Sequence, residues 1–259
     1  MAGKPHSLIA LTLHSGPAHN IRRMPSATIC TLRASPPAFQ LQPMWWTVVC
    51  LAVLIGWDMA GLDRTLAGGF GTPLGFALRD HWLLVKVAHE GGRQLAWVAT
   101  GLLIAGIAWP LGALRTIDRY RRIQLAASVL VALGAVALIK LKSTTSCPWE
   151  LQDFGGAAHY ASHWAFWQTD GGGGHCFPAG HASAGFAFIA GYFVFRDSQP
   201  RTAGCWLAVA LLAGFALGLA QQARGAHFMS HTLWTAWFCW LAAWTCDLLF
   251  RAARKTPLI

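Results

Sequence analysis

The chain of 259 residues is 55% hydrophobic and only 12% charged, against about a quarter charged in a soluble domain, so the composition argues for a surface that faces lipid. Fourteen tryptophans agree, because indoles collect at membrane–water boundaries. The net charge of +10 would suit a nucleic-acid binder, but Lys and Arg fall in short loops between apolar runs rather than along one face, which sets that class aside.

Residues 1–43 read as an N-terminal extension on the cytoplasmic side, with six prolines and a basic cluster at Arg22, Arg23 and Arg33. Disorder is expected there. Met44 opens the first apolar run, so a start at Met44 is the alternative, leaving 44–259 as the membrane domain. Six apolar segments follow, at about 45–61, 94–114, 123–141, 179–195, 203–220 and 231–250. Each is close to the ~20 residues that cross a bilayer as a helix. They run continuously rather than alternating as barrel strands do, so the fold class is all-α, a polytopic bundle of six transmembrane helices. The mixed segment 62–93 has two readings: a helix lying in the interface over part of 76–90, or a loop with one amphipathic turn.

Loop charge orients the bundle. Arg115, Arg119, Arg121 and Arg122, then Arg196 and Arg201, then Arg251, Arg254 and Lys255 fall on the side of the N-terminal arginines. That side is the cytoplasm, and both termini lie there. The loop 143–178 and residues 222–230 fall on the opposite, non-cytoplasmic side.

Three stretches with unusual polar residues meet on that outer face: Lys140 and Lys142 followed by Cys147-Pro148-Trp149; Cys176-Phe177-Pro178-Ala179-Gly180-His181; and Arg224-Gly225-Ala226-His227-Phe228-Met229-Ser230-His231. Singly, a Lys at a span end snorkels and a boundary His is a satisfied polar residue. Together, at the helix ends of one membrane face, they are expected to converge on a single pocket. Pro178 suits the first turn of a helix, so the N–H groups of Ala179, Gly180 and His181 are expected to face outward as an anion site. Lys140 and Arg224 supply charge for phosphate oxygens, with Lys142 and the Ser183 hydroxyl as further candidates. His227 and His231, four apart, share a helical face. A nucleophilic histidine needs a partner to fix its tautomer, and His181 is placed to act as general acid. Of seven cysteines, Cys147 and Cys176 flank the outer loop on the oxidising side. They either form a disulfide that ties down the pocket wall or remain thiols, depending on whether their Cα atoms lie about 4.4–6.8 Å apart. No tight metal-ligand spacing such as HExxH occurs among the outer histidines, so no metal and no other cofactor is expected.

These stretches resemble the type 2 phosphatidic acid phosphatase superfamily, whose pattern is Lys, six residues, Arg-Pro; Pro-Ser-Gly-His; and Ser-Arg, five residues, His, three residues, Asp. Lys140 and Pro148, then Pro178, Gly180 and His181, then His227 stand in register, and the resemblance covers about 44–250. The wording looks like a bacterial branch. Cys147, Ala179, Ala220-Gln221 and His231 depart from the pattern, which puts the strength of phosphate binding and the rate in doubt. The resemblance implies a metal-independent hydrolase of the inner membrane with a periplasmic site. His227 is then the nucleophile that becomes phosphohistidine, His181 the acid, and His231 the group orienting His227. Polyprenyl pyrophosphate, phosphatidylglycerol phosphate and lipid A phosphates are the substrates it brings to mind. A lipid phosphotransferase and a degenerate phosphate-binding or transport relative are the alternatives.

Overall fold

The computed structural model describes residues 37–255. Helix α1 (Pro37–Met59) is followed by α2 (Leu62–Ala67), a two-stranded antiparallel ribbon β1 (Gly71–Thr72) and β2 (Gly75–Phe76), and a π-helical segment, Leu83–Gly91, that runs directly into α3 (Gly92–Ala105). A 3-10 turn at Gly112–Thr116 leads to α4 (Arg119–Lys142), whose first turn is capped by the Asp118 carboxylate accepting from the Arg121 N–H at 2.8 Å. After a long loop come α5 (Gly180–Phe186) and α6 (Ala190–Phe195), joined by a single 3-10 turn, then α7 (Pro200–Ala223) and α8 (Met229–Lys255). Pro200 opens α7 at the position where its missing N–H costs nothing.

The protein is mostly helical. Among the described residues three helices, α4, α7 and α8, with 24, 24 and 27 residues, are long and apolar enough to cross a membrane. At 1.5 Å per residue, 24 residues reach about 36 Å, more than the roughly 30 Å of hydrocarbon. Gly180–Phe195 is a shorter apolar helix.

The core lies where α4, α5, α6, α7 and α8 meet, around Leu125, Val129, Phe186, Phe193, Phe195 and Ala243. Close approach depends on small residues. A Cβ on Gly185 would stand 2.2 Å from the Gly214 backbone nitrogen, and one on Gly214 would stand 2.2 Å from the Phe186 ring. Helices in lipid gain by packing rather than by water exclusion, so such seams hold them together. Outward, α1, α3, α4, α7 and α8 expose Val53, Leu102, Leu138, Leu212 and Leu249. A ring of large apolar side chains of this kind belongs against lipid.

Two of the expected boundaries move. The helix expected over 94–114 ends at Ala105 and begins further back, so residues 83–91 are helical rather than loop. Beyond Ala105 the apolar run continues in turns, and Pro110 and the left-handed Gly112 (φ 52°) keep the helix from resuming, while Lys86 and Glu90, paired at 2.9 Å, let a charged stretch join the helix. The extension expected at 1–43 lies outside the described residues, except for 37–43, which belong to α1.

The polar ends of the bundle are distinct. At one, Asp247, buried within α8, accepts from Arg196 and Arg251 at 2.8 Å, from Gln124 at 2.9 Å and from Arg121 at 3.3 Å. At the other, the loop 143–178 folds against residues 224–228.

Candidate functional site

The site begins with a tight reversal. Helix α7 stops at Ala223, and Gly225 takes a left-handed φ of 74°, which a side chain would resist and which also lets the Phe76 ring pack where a Cβ would be. The N–H groups of Gly225 and Ala226 return to the carbonyls of Gln222 and Gln221, both at 2.9 Å, and the Gly225 carbonyl accepts from Trp149 at 2.9 Å. His227 is thereby presented from a rigid loop.

The opposite wall is laced to the same point. Cys147 and Cys176 form a disulfide with Cα atoms 5.1 Å apart. Cys176 N–H donates to the Thr145 carbonyl at 2.9 Å. Two acids of this loop are used within it: Asp170, buried, accepts from the Ser146 N–H and hydroxyl, both at 2.7 Å, and Glu150 accepts from the Cys147 N–H at 2.7 Å, while Asp153 pairs with Arg64 of α2 at 2.7 Å.

His227 is 4% exposed. Its Nδ1 faces the Cys176 sulfur at 3.5 Å. A disulfide sulfur carries no hydrogen, so the contact suits the Nδ1–H tautomer and leaves the Nε2 lone pair free. Burial, and then the Lys140 charge, hold His227 well below the ordinary imidazole pKa, so its ring is neutral.

His231 lies one turn away with its ring centroid 5.8 Å from that of His227, and no hydrogen bond joins the two among the described residues. Its Nδ1 is instead 3.1 Å from the Cys176 carbonyl. The direct orienting contact expected of His231 is therefore replaced by a shared anchor, residue 176, which holds one ring by its sulfur and the other by its carbonyl. Behind His231, the His163 ring meets it edge-on at 5.6 Å, and His163 Nε2 is 3.3 Å from Asp58, which also accepts from the Trp164 and Trp234 indoles at 2.9 Å. Asp63 of α2 accepts from the N–H and hydroxyl of Ser230 at the start of α8. These supporting acids come from α1 and α2, remote in sequence, and carry no motif that would flag them.

Lys140, in the last turn of α4, lies over α5: a Cβ on Gly180 would stand 3.5 Å from Lys140 Cδ. Lys140, Gly180 and Ser183 line one cavity of about 400 Å³ together with Arg93. The Ser183 hydroxyl donates to the Gly180 carbonyl at 2.6 Å. Ala179 differs from expectation. It precedes the first turn of α5, Pro178 lies before the helix, and the Ala179 N–H is already taken by the His231 carbonyl at 3.2 Å. Lys142 is exposed at the end of α4. Arg224 is 8% exposed, donates to the Arg79 carbonyl at 2.8 Å and to Gln221 at 3.2 Å, and sits over the Trp149 ring. The ring of His181 stacks on that of His89 at 3.7 Å.

Among the described residues, two groups of side chains bring potential metal-ligand atoms within 4.8 Å of one another, Cys176–His227–His231 and Asp58–Asp63–His163. The first has no thiolate to offer while Cys176 is in the disulfide. In the second, the carboxylates already accept from Trp57, Trp164, Trp234 and Ser230.

No curated protein and no solved structure matches the chain. A family model described as the PAP2 superfamily matches residues 122–255, just over half of the chain, from the first turn of α4 to the end of α8. That stretch contains Lys140, the Cys147–Cys176 loop, His181 and the His227 reversal, and the chain belongs to the PAP2 superfamily.

Proposed function

We propose that this protein is an integral membrane phosphatase that transfers the phosphoryl group of a membrane lipid to water through a phosphohistidine on His227. The observation that carries the reading is His227 itself: buried, with Nδ1 against the Cys176 sulfur and Nε2 left free, in the stretch that the family model matches together with Lys140 and His181.

The chemistry follows from that arrangement. Nε2 attacks phosphorus; the N–P bond forms as the bond to the lipid oxygen breaks, and His181 delivers a proton to the leaving oxygen. Water then attacks phosphorus, His181 takes its proton, and the N–P bond breaks to release phosphate. Lys140, the N–H groups that open α5 at Gly180 and His181, and Arg224 hold the non-bridging oxygens. Nδ1 keeps its proton throughout, so the Cys176 contact maintains the productive tautomer without taking part in transfer. His231, on the same residue, keeps the wall in place. This chemistry asks for no metal ion.

In this reading six helical passes carry the chain across a bacterial inner membrane, the arginine-rich end lies in the cytoplasm and the site opens to the periplasm. A phosphomonoester or pyrophosphate at the end of a lipid then meets the pocket at the membrane surface. The lipid is one of the polyprenyl pyrophosphate, phosphatidylglycerol phosphate or lipid A type.

The test is phosphate release from a panel of lipid phosphates by protein in detergent, with chelator present. Wild type is expected to release phosphate, His227→Ala to release none, and His181→Ala to fall by roughly 10²–10⁴-fold. Phosphate appearing on a second lipid rather than in solution would make the protein a phosphotransferase. Release that survives His227→Ala would overturn the phosphohistidine.

A further inference from the structure

The helix before the family-matched stretch contributes a wall to the pocket that the phosphatase mechanism above does not use. His89 stacks on His181 with ring centroids 3.7 Å apart and planes 27° from parallel. Its Nδ1 is buried without a hydrogen-bond partner. Arg93, four residues on and so one turn along, lines the same cavity as Lys140, Gly180 and Ser183.

The local fold holds this turn against the site. Residues Leu83–Gly91 wind as a π-helix before the regular α3 begins at Gly92, and departures of this kind are common where a side chain must be re-aimed. Gly92 then seats the turn on α7, where a Cβ would stand 2.7 Å from Leu217 Cδ2.

The charge here is unbalanced. Arg93 and Lys140 form no ion pair among the described residues, and Glu90, whose carboxylate feels Arg93, is paired with Lys86 at 2.9 Å. Arg224 spends Nε and Nη1 on the Arg79 carbonyl and Gln221. Two uncommitted cations lining one cavity, with an unpartnered imidazole nitrogen on the ring that stacks against His181, call for an anion with several oxygens.

We propose that Arg93 and His89 complete the phosphate site: Arg93 binds the oxygens of the phosphoryl group, and His89 holds the His181 ring in place by stacking. The proposal rests on the phosphatase reading for its substrate, but its binding half stands without turnover. Arg93 thus recognises phosphate from a helix that lies wholly outside residues 122–255. His89 is a positioning residue, acting through His181.

The experiment compares wild type, Arg93→Gln, Arg93→Lys, His89→Ala and His89→Phe in detergent by two readouts: the kinetics of lipid-phosphate hydrolysis, and the rise in thermal stability on adding orthovanadate, a phosphate mimic. Elution volume and unliganded melting temperature establish folding; Arg93 is exposed, so its variants are expected to match wild type there. Arg93→Gln is expected to raise KM tenfold or more and to lose most of the vanadate stabilisation, with Arg93→Lys in between because charge remains but the paired geometry does not. His89→Ala is expected to lower kcat with little change in KM, and His89→Phe, which keeps a ring for stacking, to restore most of it. Wild-type KM and vanadate response in Arg93→Gln would overturn the assignment of Arg93, and a wild-type kcat in His89→Ala that of His89. If wild type shows no hydrolysis that depends on His227, the phosphatase reading fails and vanadate decides alone: stabilisation lost in Arg93→Gln supports the phosphate site, and stabilisation retained ends it.

Discussion

His227 sits in a loop yet is as buried as a core residue, and that combination sets its chemistry. Burial and the Lys140 charge depress its pKa below the ordinary value near 6.5. Between the folded and unfolded pKa values the unfolded chain binds more protons, so stability rises with pH across that window. The contribution is intact above about pH 6.5 and is lost as the pH falls below it, at about 1.4 kcal/mol for each tenfold drop in proton affinity. Melting temperatures measured from pH 7.5 to 4.5 should therefore fall more steeply for wild type than for His227→Asn, which has no proton to gain. Parallel curves would show that His227 is not depressed. The catalytic counterpart is that the nucleophile stays neutral in mild acid. His181 and His227 were legible in the sequence because short, sharply punctuated stretches carry them: Pro178 and Gly180 before one, Gly225 before the other. Asp58, Asp63, His89, Arg93 and His163 were not, since each reaches the site by tertiary packing from a segment with no pattern of its own. The Ala179 N–H was misjudged for a related reason: its partner, the His231 carbonyl, lies 52 residues away in the chain.

Among the elements, α8 depends on a charged residue in its apolar body. Asp247 is fully buried and joins α4, the end of α6 and α8 through Arg121, Arg196 and Arg251. Removing one partner of a buried ionic cluster leaves the others desolvated and unpaired, at a cost of about 3–5 kcal/mol. Asp247→Ala should lower the melting temperature in detergent by on the order of 10 °C, while Arg254→Ala, whose ion pair with Asp118 is largely exposed, should change it little. Equal effects of the two would mean that the Asp247 cluster does not hold the helices. The positions of α4, α7 and α8 could be read from the apolar runs, because lipid permits little else, but each helix runs several residues past its run into polar and charged residues such as Arg119, Gln222 and Arg251. The path from 62 to 105 was legible only in part. Its π-helical start mixes Lys86 and Glu90 with Leu83 and Val87, so the sequence left a helix and a loop both open there, and the structure takes the helix. Its end was hidden because Ile107, Ala108 and Trp109 continue the apolar composition after the helix has stopped.

At the scale of the whole molecule, the arginine-rich loops and the histidine pocket occupy different ends. The segments 115–122 and 196–201, each a turn running into the first turn of α4 or α7, and the end of α8 are drawn together by Arg121–Asp197, Arg251–Asp197 and Arg254–Asp118 ion pairs and by the Gln199 to Thr116 hydrogen bond. The pocket end is drawn together by the Cys147–Cys176 disulfide and the Trp149 to Gly225 and Ala179 to His231 hydrogen bonds. Helix α4 runs from the first end, at Arg119, to the second, at Lys142. If it spans the bilayer, Lys142 and Arg201 lie in different compartments, and the bias of Arg and Lys assigns Arg201 to the cytoplasm. Both side chains are exposed, so either can be replaced by cysteine without disturbing the core. In a background lacking the exposed Cys50 and Cys205, a membrane-impermeant maleimide applied to intact cells should label Lys142→Cys and leave Arg201→Cys untouched until the membrane is opened. The same reagent should reach Cys147 and Cys176 only after reduction. Labelling of both engineered positions from one side would mean that α4 does not cross. The reverse pattern would keep the bundle but turn the pocket toward the cytoplasm, where a reducing compartment would not preserve the disulfide that anchors His227.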